Sequence, residues 1–163
     1  MKILNLSIEI INTSKNFIGT QLAGAVNQSD NIIALQLSGL MNTAKNVKVG
    51  QLSGIANIAE DVTGLQISGF SNIAENFNGI QLFGFINSAK NVCGGQIAYG
   101  ANFSQSITGV QLAGIANISP KVNGAQISFV TNISENITGI QIGIINVCNT
   151  LNGAQIGLIN IVS

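Results

Sequence analysis

The sequence predicts an all-β fold, a β-solenoid (β-helix) built from parallel coils of fifteen residues each. Three observations predict it: a glutamine that recurs every fifteen residues, an asparagine that follows each glutamine, and abundant Ile, Val, Gly and Asn. β-branched residues favour strands, whereas Gly and Asn favour tight corners and are poor helix formers. This composition outweighs the helix-like spacing of apolar residues within a single unit.

Two amide columns define the repeat. The asparagine lies six residues after the glutamine, or five in the last two units, where one residue has been lost. In stacked coils, equivalent residues lie about 4.8 Å apart, so amides in one column can hydrogen bond from coil to coil as a ladder. An antiparallel repeat meander is the alternative, but it aligns equal positions only near mid-strand. The ladder residues are Gln21, Gln36, Gln51, Gln66, Gln81, Gln96, Gln111, Gln126, Gln141 and Gln155, with Asn27, Asn42, Asn57, Asn72, Asn87, Asn102, Asn117, Asn132, Asn146 and Asn160.

The repeat leaves no room for a second domain. We expect a single domain over residues 1–163 with about eleven units, of which residues 1–16 form a degenerate first coil. In that coil Leu6 stands where Gln would be, but Asn12 is in register. The rod would be on the order of 50 Å long.

A shorter period of five residues is visible inside the unit. It makes Ile107, Leu112 and Asn117 equivalent and predicts three short sides around a narrow core column of Ile, Leu and Val. Two apolar rows then face away from the core, unless kinks at glycine turn them inward. An exposed apolar stripe would be a contact surface. The rows contain Ile58, Ile73, Ile118, Ile133 and Ile161, and Ile55, Phe70, Phe85 and Ile115.

Composition excludes several functions. Six Lys+Arg balance six Asp+Glu, only 7% of residues are charged, and histidine is absent. A chain without a basic patch is not expected to bind nucleic acid. Without histidine it lacks the usual general base and the commonest metal ligand, so we expect no enzymatic activity, cofactor or small-molecule substrate. Near-zero net charge favours self-association.

Charged and amide side chains form two neighbouring rows. Carboxylates at Glu60, Asp61 and Glu75 could form a metal site, but we favour a solvated corner with partly alternating charges. The amide row is expected to lie at corners with left-handed backbone. The charged row is Lys15, Asp30, Lys45, Glu60, Glu75, Lys90 and Glu135; the amide row is Asn16, Asn31, Asn46, Asn76, Asn91 and Asn136.

Cysteine and threonine offer weaker candidates. Cys93 and Cys148 lie nearly four coils apart in different columns, so we expect free, buried or inert thiols rather than a disulfide. Thr63, Thr108 and Thr138 alternate in one column with Asn78, Asn123 and Asn152. This column could face ice or a glycan, but we favour an ordinary polar outer face.

The repeat continues to both ends of the sequence without a polar cap. Solenoids usually blunt their terminal coils, so the chain is either a fragment or covered there by other copies. Head-to-tail stacking does not close and would build a fibre. The predicted assembly ends are Ile3, Leu4, Leu158, Ile159 and Ile161.

Segments 64–72, GLQISGFSN, and 153–160, GAQIGLIN, resemble the units of bacterial tandem "surface repeat" proteins, and the resemblance extends from about Phe17 onward. It implies a surface or secreted protein without assigned enzymatic activity, and it transfers no functional residues. No clear export signal is present, so the default location is cytoplasmic, with the cell surface implied by the resemblance. No run of 18 apolar residues predicts a membrane-spanning helix.

These observations predict a structural protein that associates with itself, end to end, into fibres or a larger assembly. Two alternatives remain open. One is a binding module that presents a repetitive face to a surface, a glycan or ice. The other is a membrane-associated β-protein, which the positive mean hydropathy of +0.44 suggests but which lacks aromatic girdles and an export signal.

Overall fold

The computed structural model describes residues 5–163, and this part of the chain is about 85% strand with no helix. It winds into about nine turns of a β-solenoid. The sequence predicts about eleven units, of which the first is degenerate. The strands are β1 Asn5–Ser38, β2 Met41–Ser53, β3 Ala56–Ser68, β4 Ser71–Phe83, β5 Ile86–Ala98, β6 Ala101–Ala113, β7 Ala116–Ile118, β8 Lys121–Ser128, β9 Thr131–Ile133, β10 Asn136–Ile142, β11 Ile145–Cys148, β12 Thr150–Ile156 and β13 Ile159–Val162.

Successive coils pair in parallel and in register. Between β2 and β3, Gln51 pairs with Gln66 and Asn42 with Asn57. The same register holds near the C-terminus, where the shortened units still align Gln141 with Gln155. The predicted solenoid is therefore confirmed, and an antiparallel meander is excluded.

Each coil has three sides separated by three bends. In residues 121–135 the core side is 121–123, the Gln side is 125–128 and the Asn side is 131–133. Gly124 bends the chain within β8, residues 129–130 form the second bend, and residues 134–135 form the third. Each side is only a few residues long, so the lumen is narrow.

The lumen contains one column of large apolar side chains, which we call the core column, as the sequence predicts. Opposite it stand the Gln and Asn columns, and small Ala and Ser residues fill the remaining inward positions. The five-residue period was wrong about Leu112, which is 39% exposed, because its neighbour Gln111 occupies the inward position. The core column is Phe17, Ile32, Val47, Val62, Phe77, Val92, Ile107, Val122, Ile137 and Leu151.

Apolar residues therefore remain on the outside. Of the rows left undecided by the sequence, Ile58, Ile73 and Ile133 are 38–40% exposed, while Phe70 and Ile115 are at least half exposed. Kinks at glycine do not turn these rows inward. The solenoid thus has an exposed apolar stripe along the Asn side and the adjacent bend.

The bend between the core side and the Gln side favours glycine. Gly109 has a φ of +142°, and a Cβ there would lie 1.8 Å from the carbonyl oxygen of Gly94 in the preceding coil. Ala34 and Val49 occupy the same column with φ of 138° and 101°. A side chain in this region of φ is strained, by on the order of 1–3 kcal/mol.

Replacing Val49 with glycine should therefore stabilise the protein by about 1 kcal/mol, because relief of strain exceeds the added entropy of the unfolded chain. The Val49 side chain is 55% exposed and loses little packing. Chemical denaturation followed by circular dichroism would measure the change in midpoint. Val110→Gly is the matched control, since Val110 is similarly exposed at 43% but has no positive φ, and it should destabilise. Equal losses in both variants would contradict the assignment of strain.

Candidate functional site

The Gln column is a continuous ladder through the lumen. From Gln36 to Gln155, each Nε2 donates to the Oε1 of the glutamine in the preceding coil at 2.7–2.9 Å. Several of these amides have a second acceptor across the lumen, such as the Ile73 carbonyl for Gln66 at 3.3 Å or the Ser104 hydroxyl for Gln111 at 3.2 Å. The glutamines from 21 to 141 are at most 1% exposed.

The Asn column is a second ladder that runs in the opposite direction. Each Nδ2 from Asn12 to Asn146 donates to the Oδ1 of the asparagine in the next coil at 2.8–3.1 Å. It also donates to the carbonyl of the residue after the next coil's glutamine, as Asn57 does to Ile67 at 2.7 Å. Each asparagine thereby ties the Asn side of one coil to the Gln side of the next.

Backbone carbonyls fix the orientation of both ladders. A carbonyl oxygen can only accept, so the Asn57 nitrogen must face Ile67, and the Gln66 nitrogen must face Ile73. The Asn ladder consequently donates toward the C-terminus and the Gln ladder toward the N-terminus. Their side-chain dipoles oppose one another along the rod, which avoids a single accumulated dipole in a low-dielectric interior.

The amides of the lumen thus bind each other. Carboxamides do not titrate near neutral pH, and each ladder amide is already hydrogen-bonded to its neighbours in the stack. The buried hydroxyls of Ser38, Ser53, Ser68 and Ser128 have no hydrogen-bond partner. The ladder residues predicted from the sequence are brought together as predicted, and their role is structural.

The charged row lies on the exposed bend after the Asn side. Lys45 pairs with Asp30 at 3.1 Å and Lys90 with Glu75 at 3.3 Å, in both cases between adjacent coils. These pairs are about half exposed, so each contributes about 0–1 kcal/mol. Among residues 5–163 no group of three or more His, Cys, Asp or Glu side chains could hold a metal ion.

The prediction that the neighbouring amide row has left-handed backbone was wrong. The non-glycine residues with positive φ in the described chain are Ala34, Val49 and Phe83. The amide row instead forms a short exposed ladder on ordinary strand backbone, with Asn46 donating to Asn31 at 2.7 Å and Asn91 to Asn76 at 2.8 Å.

Both cysteines are free thiols. Cys148 is buried among the small inward residues, and this burial raises the pKa of its thiol. Cys93 is exposed and belongs to the column of Thr63, Thr108 and Thr138 on the core side. This column lines two shallow surface grooves of roughly 370 and 460 Å³.

Sequence reasoning missed the most apolar surface. The residues before and after each glutamine both point outward, and together they cover the Gln side without a single charge. Because successive side chains of a strand point to opposite faces, an inward glutamine requires both of its neighbours to point outward. We define the aliphatic face as Thr20, Leu22, Leu35, Leu37, Gly50, Leu52, Leu65, Ile67, Ile80, Leu82, Gly95, Ile97, Val110, Leu112, Ala125, Ile127, Ile140, Ile142, Ala154 and Ile156.

Three of the predicted assembly ends are exposed in the last described coil. Leu158 is 85% exposed, Ile159 is 49% exposed and Ile161 is 44% exposed. Ile3 and Leu4 lie outside the described residues. Contacts through these residues stay a prediction.

Comparison with protein-family models, curated proteins and solved structures found no match to the chain. The resemblance to surface repeat proteins therefore stays an expectation from the repeat motif. The described residues form no helix, and therefore none that could span a membrane.

Interrupting the Gln ladder should destabilise the solenoid. Gln96→Leu leaves the Gln81 Oε1 without its donor and removes an acceptor of Gln111, so we expect a loss of about 2–5 kcal/mol. Urea denaturation would measure it. Gln105→Leu makes the same change at an exposed position in the next strand, β6, and should stay within about 0.5 kcal/mol of the parent. Similar midpoints for the two variants would show that the ladder does not contribute.

Proposed function

We propose that the chain is a non-enzymatic structural protein, a β-solenoid that associates with further copies of itself into a larger assembly through its apolar sides. The aliphatic face carries this proposal. It has two columns of outward residues on every coil from residue 20 to residue 156, no charged member and Thr20 as its sole polar member.

The extent of apolar surface supports association. The largest apolar patch on a typical soluble monomer covers about 300–600 Å². Here the aliphatic face is joined across the bend at residues such as Phe70 and Phe85 to the apolar rows of the Asn side. Two of the three sides of the rod are therefore covered mainly by apolar residues, and water contact with them is unfavourable.

The distribution of charge points the same way. Lysines and carboxylates are concentrated near the bend between the Asn side and the core side, and they balance to a net charge of zero. Copies of the chain therefore do not repel each other strongly. The polar core side would remain in water while the other sides are covered.

Two apolar sides allow each copy to contact two neighbours. Side-by-side contacts of this kind can extend into a layer or a filament, whereas one self-complementary contact closes into a dimer. The end-to-end stacking predicted from the sequence would lengthen such an assembly.

A binding module is the second candidate, and the grooves beside Thr108 and Thr138 favour it. They lie on the polar core side and present hydroxyl and amide groups at the repeat spacing. A glycan or another regular surface would match this chemistry, and a monomer would suffice to bind it.

A matched pair of lysine variants separates these functions. Val110→Lys places a charge on the aliphatic face, and an unpaired buried lysine costs several kcal/mol, so self-association should weaken on the order of a hundredfold or more. Thr108→Lys lies two residues away on the core side and should leave association unchanged. Sedimentation velocity over a wide concentration range would measure both, with circular dichroism to confirm folding.

Several outcomes would count against the proposal. A parent chain that remains monomeric at all concentrations would refute it, as would association that Val110→Lys does not alter. Loss of glycan or surface binding in Thr108→Lys, with a monomeric parent, would favour the binding module. Monomers that float with phosphatidylcholine vesicles would assign the apolar sides to lipid.

A further inference from the structure

We infer that two copies pack their aliphatic faces together in antiparallel orientation, related by a two-fold axis at the coil that contains Ile80. This inference rests on the proposed function and specifies the geometry of one of its contacts. The two-fold axis lies in the plane of the interface and is perpendicular to the rod. Each column of one copy then faces the same column of the other in reverse order.

The two columns of the aliphatic face differ in how uniform their side-chain sizes are. The column after each glutamine is Leu or Ile in every coil from Leu22 to Ile156. The column before each glutamine alternates irregularly between large residues and the small residues Gly50, Gly95, Ala125 and Ala154. The first column is an even ridge, and the second is a series of projections and recesses.

The projections and recesses are complementary about Ile80. One coil away on either side are Leu65 and Gly95, and two coils away are Gly50 and Val110. Three coils away are Leu35 and Ala125. In an antiparallel pair centred on Ile80, each of these large side chains faces a small residue of the other copy, and interdigitated packing of this kind approaches the density of a protein interior.

Moving the axis half a coil weakens this match. Half a coil toward the C-terminus, Leu65 opposes Val110, two large residues, and Gly50 opposes Ala125, two small ones. Half a coil toward the N-terminus, Leu65 opposes Ile80 and Gly50 opposes Gly95. An axis one whole coil away, at Gly95, keeps several large-small pairs but opposes Ile80 to Val110 and leaves Gly95 facing itself. The register centred on Ile80 is therefore the best match, with Ile80 against Ile80 at the axis as its one pair of large residues.

The same coil has a strained aromatic residue at the edge of the face. Phe83 occupies a position that other coils fill with an inward Ala or Ser, but it is 46% exposed, with a φ of +68°. It stacks on Tyr99 of the next coil with ring centroids 6.0 Å apart. Strained backbone of this kind is concentrated at functional positions such as binding sites. The two-fold axis would bring the Phe83 rings of both copies to the same level at the rim of the contact.

The area reaches the lower end of the range for specific pairs. The Gln side is about 13 Å wide and about nine turns give a length of about 43 Å, so the two copies together bury on the order of 1,100 Å². Specific interfaces bury at least about 1,000 Å². A second copy also suits the face better than an anionic lipid surface, since no lysine or arginine lies on it.

Chemical cross-linking tests the geometry in the full chain. Cysteines are placed singly at Ile80 and at Ile140, which are 45% and 42% exposed, in a Cys93→Ser background. A short bis-maleimide is used because packed sheets stand about 10 Å apart, beyond the reach of a disulfide. Ile80→Cys should give at least a tenfold higher yield of cross-linked dimer than Ile140→Cys, whose two copies lie far apart at opposite ends. An equal mixture of Thr20→Cys and Ile140→Cys should cross-link between the two variants.

Each result bears on the inference. Equal yields from Ile80→Cys and Ile140→Cys indicate parallel pairing, and no cross-link at either site within a sedimenting dimer indicates another interface. Both overturn the antiparallel geometry while leaving self-association intact. A monomer in sedimentation velocity overturns the proposed function and this inference together. Circular dichroism of every variant shows whether the fold is retained.

Discussion

The rest of this structure depends on hydrogen bonding between buried side-chain amides. An unpaired buried amide costs on the order of 1–3 kcal/mol, and the lumen holds two amides in almost every coil. Parallel stacking in register satisfies them, since each Gln then meets a Gln and each Asn an Asn. A slip of one residue would turn each column to the outside and leave its partners unpaired. The amides therefore fix the register of neighbouring coils, and they keep it even where a coil is one residue shorter, as between Gln141 and Gln155.

The same constraint explains why so much apolar surface is exposed. Two amide columns and the small residues beside them occupy most of the narrow lumen, which leaves room for only one large apolar column. The remaining Ile, Leu and Phe residues must lie outside. In an ordinary globular domain these residues would form the core, but here they cover the Gln and Asn sides. The interior chemistry and the proposed self-association thus have a common origin in the width of the coil.

The sequence predicted the stacking because a ladder needs the same residue type in the same place, as at Gln66 and Gln81. The prediction for Leu112 was wrong, because the five-residue period places Leu112 inward whereas the two-residue alternation places either Gln111 or Leu112 inward, but not both. The Gln111 amide hydrogen-bonds within the ladder, so Gln111 is inside and Leu112 is outside. The amide row that contains Asn46 and Asn91 was predicted to have left-handed backbone, because asparagine tolerates that conformation. Hydrogen bonds between the side chains of successive coils explain these asparagines on ordinary strand backbone instead. The repeat pattern does not predict that the Phe83 side chain points outward. Its ring is too large for the space that Ala or Ser occupies in other coils of the narrow lumen.

Hydrogen exchange of side-chain amides, measured by NMR on labelled protein, probes the two ladders directly. The NH₂ protons of the Gln column and the Asn column should exchange orders of magnitude more slowly than those of exposed amides such as Gln105 and Asn123. They should be released only when neighbouring coils separate. Rapid exchange of the Gln66 and Asn57 side chains, equal to that of the exposed amides, would contradict this hydrogen bonding.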